Sequence, residues 1–250
     1  MATADTRLRR RFALIGGGIA LVLSGVVAGW LFESTRSKAT GPADKAAIER
    51  VVRGYILDHP EILPEAMERL RNRETKQQLA GVASQLEVPF PGAVLGNVQG
   101  KITLIEFTDY ACTYCRKSVA EVEALITANP DLRVIIRELP ILSPASTEAA
   151  RMALAAAEQG RYAAFHKAMF EIGSPNTQTI AAAAKAAGID LARARQVIAD
   201  PKIDSEIARN LAFARQLGFE GTPSWVIGDA LMSGAVGQAE LAKAIAEARS

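Results

Sequence analysis

Hydrophobic spacing changes three times along this chain. An uncharged apolar run, Phe12 to Phe32, comes first, behind Arg7, Arg9, Arg10 and Arg11. From Asp44 the apolar positions Ile48, Val51, Val52 and Tyr55 recur at helical intervals, with Asp44 placed to cap the helix. Asp58-His59-Pro60 ends that element, and Pro64 is expected to open a second helix carrying Met67, Leu70, Leu79, Val82 and Leu86. Between Leu70 and Leu79 the residues are polar on every side, which suits a helix that bridges solvent or lies on a partner. A short strand near Val94, the β-branched run Ile102–Phe107 and the run Leu132–Glu138 read as strands. A helix to about Asn129 joins the last two, so they should run parallel. From Ser146 to Leu217 the sequence is alanine-rich and helical, punctuated at Gly160, Gly173-Ser174-Pro175, Gly188 and Asp200-Pro201, giving about four helices. Trp225-Val226-Ile227 returns to the sheet, Leu231-Met232 pairs with it across Gly228-Asp229, and Gln238–Ala248 closes the chain as a helix.

The predicted fold class is therefore α/β: a sheet with an inserted helical subdomain at about 144–217, preceded by a helical segment and a membrane-spanning helix. The expected organisation is a basic tail at 1–11, a spanning segment at 12–32, a tether at 33–43, a helical segment at 44–88 and a catalytic domain at 93–250. Twenty-one uncharged residues make a helix of about 31 Å, enough to cross a bilayer, and the arginines hold the N-terminus in the cytoplasm. A cleaved leader would have a shorter apolar core and a small-residue cleavage site, so a retained signal-anchor is favoured over a secreted form; Arg9-Arg10-Arg11-Phe12 only faintly matches a twin-arginine signal. Gly25 and Gly29 have the GxxxG spacing, which carries little weight in a run with five glycines.

Charge narrows the partners. Residues 1–42 carry a net charge of +4 against +2 for the whole chain, leaving about −2 for the remainder. The basic excess belongs to the leader, and no basic stripe interleaved with aromatics follows it. Nucleic acid is excluded as a partner class.

The chemistry is concentrated in Cys112-Thr113-Tyr114-Cys115, which contains both cysteines of the chain. The pair falls where a strand hands over to the first turn of a helix. Sulfurs at i and i+3 can there join as a disulfide or part as a dithiol with little backbone movement. Unpaired helix N–H groups stabilise the first sulfur as a thiolate. Zinc wants four Cys or His ligands and finds two cysteines and two distant histidines, so no metal site is expected. A structural disulfide across so small a loop would restrain the unfolded chain little. Haem attachment needs His after the second cysteine, where Arg116 stands. A cycling disulfide is the leading reading.

The stretch Val94–Gly100, then Ile102-Thr103-Leu104-Ile105-Glu106-Phe107-Thr108-Asp109-Tyr110-Ala111-Cys112-Thr113-Tyr114-Cys115, resembles the DsbA-like branch of the thioredoxin superfamily. Within it the chain is most similar to anchored or exported bacterial members with an extra N-terminal helical segment, the ScsC-like proteins. Gly221-Thr222-Pro223-Ser224-Trp225 resembles the family's cis-proline loop, and Gly160–Phe170 a helix of its inserted domain. The resemblance covers about residues 44–248. It departs at Thr108, where the family often has an aromatic, and in its Thr-Tyr dipeptide between the cysteines.

The resemblance implies a thiol-disulfide oxidoreductase without cofactor or metal, with its catalytic domain in the periplasm. Cys112, the more exposed sulfur, would attack and Cys115 resolve. Glu106, six residues before Cys112, matches the family's buried acid, and an acid facing the core near Cys115 would suit proton transfer. Thr222 and Pro223 would pair with substrate backbone. Thr113 and Tyr114 would tune the redox potential. Implied partners are exported proteins with cysteines, a membrane or periplasmic redox partner, and further copies of this chain joined through 44–86. Oxidase, isomerase and reductase share these residues and differ in redox poise, assembly and partner. A membrane-tethered Cu(I) metallochaperone would use the two sulfurs as soft ligands but leaves Glu106 and the Gly221-Thr222-Pro223 loop unexplained; a non-catalytic envelope scaffold explains less. His59 and His166 are read as packing or helix-end residues.

Overall fold

The structure, a computed structural model, describes residues 42–249. The basic tail at 1–11, the spanning segment at 12–32 and nearly all of the tether lie outside the described residues. Among the described residues no helix is long and apolar enough to cross a membrane. The chain divides into two compact units, one ending at Ala66 and the other beginning at Met67.

In the first unit, helix α1 spans Pro42–Asp58. It begins two residues before Asp44, so the expected cap falls inside the first turn; Pro42 opens the helix, where its missing N–H leaves no bond unmade. Ile48, Val51, Val52 and Tyr55 are all exposed, Val51 at 72%. Helix α2 (Ile62–Ala80) starts two residues before Pro64 and continues into the second unit. Met67 and Leu70 are exposed like the apolar residues of α1. The single helix expected to run to Leu86 is broken at Gly81, and a one-turn helix α3 (Ala83–Leu86) follows. The break turns Leu79, Val82 and Leu86 into a buried cluster with Phe107, Ile135, Phe213 and Phe219.

The second unit is built on a five-stranded sheet in the order β1-β3-β2-β4-β5, from β1 (Val94–Gly96), β2 (Ile102–Thr108), β3 (Leu132–Glu138), β4 (Ser224–Ile227) and β5 (Ala230–Ser233). β2 and β3 are parallel through the crossover helix α4 (Thr113–Ala128); the other pairings are antiparallel. Gly228, at φ +53°, turns β4 into β5 across a two-residue hairpin that needs this backbone region.

Between β3 and β4 lie five helices rather than about four: α5 (Pro144–Ala157), α6 (Tyr162–Ile172), α7 (Thr177–Ala186), α8 (Leu191–Ile198) and α9 (Pro201–Gln216). Each of the four punctuation sites separates two helices, and local capping fixes the starts. Ser143 Oγ accepts from the Ser146 N–H, Asn176 and Thr179 form a capping box, and Asp190 and Asp200 cap α8 and α9. Helix α10 (Gln238–Glu247) closes the chain.

Strand alternation sorts the core into two faces. Ile102 and Leu104 of β2, with Leu132, Val134 and Ile136 of β3, join the cluster that holds both cysteines and most of the inserted helices. Ile105, Phe107 and Ile135 face the cluster that holds Leu79, Val82 and Leu86. Arg137 follows Ile135 onto this second face and is fully buried. Its guanidinium donates to the carbonyls of Gln85 (3.0 Å), Leu86 (2.7 Å) and Val88 (2.6 Å), and to Glu206 Oε1 (2.9 Å). Glu206 also pairs with Arg209. One strand arginine thus satisfies the carbonyls at the end of α3 and ties that turn to the sheet.

Candidate active site

β2 ends at Thr108, and the next four residues form a tight connection to α4. Asp109 organises it. Its Oδ1 accepts from the Ala111 N–H at 2.8 Å, and its Oδ2 accepts from the N–H groups of Ile141 and Leu142 at 2.8 and 2.9 Å. The cysteine loop and the β3–α5 loop are thereby held against one carboxylate, leaving Ile141 and Leu142 exposed beside it. Cys112 occupies the N-cap position of α4, and its Sγ accepts from the Cys115 N–H at 3.4 Å.

Both cysteines are free thiols. Cys112 is the more exposed of the two but is itself only 6% accessible; Cys115 is sealed. Burial pushes the Cys115 thiol well above its ordinary range. The Cys112 Sγ donates to the Thr222 carbonyl oxygen at 3.1 Å, and the Thr222–Pro223 peptide is cis. Thr113 is the first residue of α4. Tyr114 is more than half exposed, with Lys117 Nζ 5.6 Å from its ring centroid.

Glu106 shares the sheet face of Leu104 and is buried. Loss of solvent, followed by the nearby Glu138 and Cys112, pushes its carboxyl up to about 8. Sequence reasoning therefore placed Cys112, Cys115, Glu106, Thr222 and Pro223 in one neighbourhood, and the structure brings Cys112, Cys115, Glu106 and Thr222 within mutual contact or electrostatic reach.

It missed a second buried cluster on the same face. Glu138, at the end of β3, accepts from Tyr162 Oη at 2.6 Å and Tyr110 Oη at 3.1 Å. Tyr110 Oη also lies 3.2 Å from His166 Nδ1. Burial pushes Glu138 up to about 8 and His166 down to about 4, so the imidazole is neutral near pH 7. The signal was present: Glu138 ends an apolar strand at the same parity as Val134 and Ile136, just as Glu106 shares the parity of Ile102 and Leu104 within β2.

Two thiols at the head of a crossover helix, faced by a cis-proline loop and backed by an acid in the sheet, define the class of thioredoxin-fold thiol-disulfide oxidoreductases related to DsbA. Residues 103–246 match the DSBA-like thioredoxin domain, and the chain belongs to that family. Residues 44–77 match the N-terminal domain of the copper resistance protein ScsC.

Among solved structures, a thioredoxin-like oxidoreductase from Silicibacter pomeroyi is 43% identical, with a TM-score of 0.60 over 62% of this chain and 91% of that one. The thiol-disulfide exchange protein α-DsbA2 of Wolbachia pipientis is 30% identical, with a TM-score of 0.65 over 71% and 97%. A linker-deletion mutant of ScsC from Proteus mirabilis is 27% identical, with a TM-score of 0.64 over 84% and 97%. A curated relative, the Na⁺/H⁺ antiporter NhaA 1 of Salinispora arenicola, is 28% identical over 137 residues, 54% of this chain; the chain matches only 21% of that protein's length.

Proposed function

We propose that this chain is a membrane-anchored, periplasmic thiol-disulfide oxidoreductase that exchanges disulfides with exported proteins through Cys112 and Cys115. The observation that carries the reading is the convergence of the Cys115 N–H and the Thr222 carbonyl on the Cys112 Sγ. In the reducing direction, the Cys112 thiolate attacks a substrate disulfide. A Cys112–substrate bond forms, the substrate S–S bond breaks, and one substrate sulfur leaves as thiolate. The Cys115 thiol then gives its proton to the Glu106 carboxylate and attacks Cys112 Sγ. The intramolecular disulfide forms, the mixed disulfide breaks, and the second substrate sulfur leaves with its electron pair. Oxidation of substrate is the reverse, with protonated Glu106 returning the proton to the Cys115 thiolate. Burial of Cys115 makes a proton acceptor necessary, and an acid held near 8 can both take and return a proton at neutral pH.

Thr222 and Pro223 would hold substrate backbone beside Cys112, and Thr113 and Tyr114 would set the redox poise. The 12–32 run would anchor the chain with its catalytic domain in the periplasm, in keeping with the ScsC match. The apolar residues of α1 and early α2 support self-association, because Val51, Leu57, Met67 and Leu70 are exposed among the described residues. Insulin reduction and refolding of a scrambled-disulfide substrate, compared between wild type and Cys112→Ser, test the reading. Loss of both activities in the variant supports it; unchanged activity would sink it.

The copper-resistance description attached to residues 44–77 favours one second reading, delivery of Cu(I) by the thiol pair. That matched segment contains no cysteine, so any soft ligands must come from Cys112 and Cys115. Stoichiometric Cu(I) binding without thiol turnover would select it.

A further inference from the structure

Glu106 and Glu138 stand on neighbouring parallel strands and on the same face of the sheet. Glu106 pairs in register with Ile136 and Thr108 with Glu138, so the two acids are offset by one strand and two residues, about 8 Å between backbones. Carboxyl arms on one face shorten that gap. Glu138 Oε1 is held by two tyrosine hydroxyls, whereas its Oε2 is buried with no hydrogen-bond partner. A carboxyl gripped on one oxygen and bare on the other is fixed in place with no cation paired to it.

The groups that could neutralise it point elsewhere. Arg137 lies on the opposite face, paired with Glu206. Lys167 is paired with Glu123. Asn210, from α9, reaches only the Glu138 backbone carbonyl. Asp109, the nearest other acid, adds negative charge. His166, one hydrogen bond beyond Tyr110, is uncharged near neutral pH. The charges that act on Glu106 come from Glu138, Cys112 and, on α4, Glu121, and Glu106 in turn acts on Cys115. Glu106 and His166 line one cavity of about 350 Å³ between α4, β1 and α6. Lys167 also lines that cavity, at its half-exposed edge and paired with Glu123, so no cation is among the groups that act on Glu106 or Glu138.

We propose that Glu138 is a positioning acid for thiol exchange: fixed by Tyr110 and Tyr162, it sets the charge state of Glu106 and so the pH at which Cys115 can release its proton. The inference rests on the oxidoreductase reading above. Two like charges this close cannot both ionise freely, so they titrate as a coupled pair. Removing the Glu138 charge relieves Glu106 of its neighbour, and Glu106 then ionises at lower pH. Tyr110 lies two residues before Cys112 and Tyr162 on the inserted helix α6, so the insertion contributes directly to the chemistry of the sheet.

The test follows decay of a glutathione–Cys112 mixed disulfide in the full chain between pH 5 and 10, with Glu106 titrated in parallel through its ¹³C carboxyl resonance. In Glu138→Gln both the rate profile and the Glu106 titration should move to lower pH, by roughly half to one unit. Tyr162→Phe, which removes the shorter of the two donors and keeps Glu138 neutral to higher pH, should move them the same way by less. It serves if the Gln variant does not fold. Phe165→Leu, which loosens packing against Tyr110, should lower thermal stability and leave both midpoints in place. Unmoved midpoints in Glu138→Gln and Tyr162→Phe, or an equal shift in Phe165→Leu, would overturn the assignment. If wild type shows no exchange at all, the oxidoreductase reading fails and this inference falls with it. Exchange with an unmoved Glu106 titration defeats the inference alone.

Discussion

The Cys112 Sγ lies 3.1 Å from the carbonyl oxygen of Thr222, a residue 110 positions further along the chain. Nothing local joins them. β2 carries the cysteine to the edge of α4, the chain then passes through α4, β3 and the five inserted helices, and only the antiparallel pairing of β4 with β2 returns Thr222 to the same spot. A carbonyl at this distance is an acceptor for the thiol.

Thiol-specific mass tagging of the full chain should differ by two labels before and after reduction, since both cysteines of the chain sit in this pair. Cys112→Ser should lower exchange by at least ~100-fold, because the thiolate is the nucleophile. Cys115→Ser should retain the first attack and accumulate the mixed disulfide, visible as a mass adduct. A folded wild-type pair that resists strong reductants would contradict the cycling reading.

Glu106→Gln should change how stability depends on pH. The folded carboxyl titrates at about 8 against 4.5 for the ordinary group. Below 4.5 both folded and unfolded chains hold the proton. Between 4.5 and 8 only the folded chain does, so wild-type stability falls as pH rises through that window. The variant removes this loss. It should exceed wild type by roughly 2–4 kcal/mol at pH 8, with the difference vanishing near pH 4, in paired urea denaturations.

Arg137→Met should destabilise the protein by about 3–5 kcal/mol, because the Gln85, Leu86 and Val88 carbonyls and Glu206 lose their donor in a buried setting. Adding Glu206→Met should recover part of the loss, since the second change removes the stranded charge. Chemical denaturation of the two variants and wild type decides it. Equal stability of the single and double variants would show that the ion pair is not the energetic core of the clamp.

Residues 43–250 should sediment as an oligomer at micromolar concentration, and residues 67–250 as a monomer that keeps insulin reduction but loses isomerase activity. The deletion has to stop short of Leu79, because Leu79, Val82 and Leu86 belong to the second core cluster and Arg137 holds the turn after them. A longer deletion would report on folding instead of association. If the longer fragment is already monomeric, self-association through α1 is wrong.

Features with a local cause could be read from the residues alone. Alternation in Ile102–Phe107 and Leu132–Glu138, the helical punctuation by Gly, Asp-Pro and Ser-Pro, and the cysteine pair at a strand–helix junction were legible because each depends on neighbours within a few residues. Glu106 was legible too, as an acid in an apolar strand of known parity. Other features had no local sign. The apolar residues Ile48 and Leu79 sit on similar helical patterns, yet one is exposed and the other buried. Burial depends on whether a distant surface arrives to cover the face, and only the folded sheet supplies one for Leu79. Arg137, an ordinary charged residue in the sequence, becomes the clamp of α3 because strand parity turns it inward onto carbonyls 49 to 52 residues earlier. Glu138 gains Tyr162 only when α6, from the insertion, packs over the end of β3. Long-range hydrogen bonds and desolvation are properties of the assembled chain, so the packing of distant elements settled that Arg137 is buried and what stands beside Glu106 and Glu138.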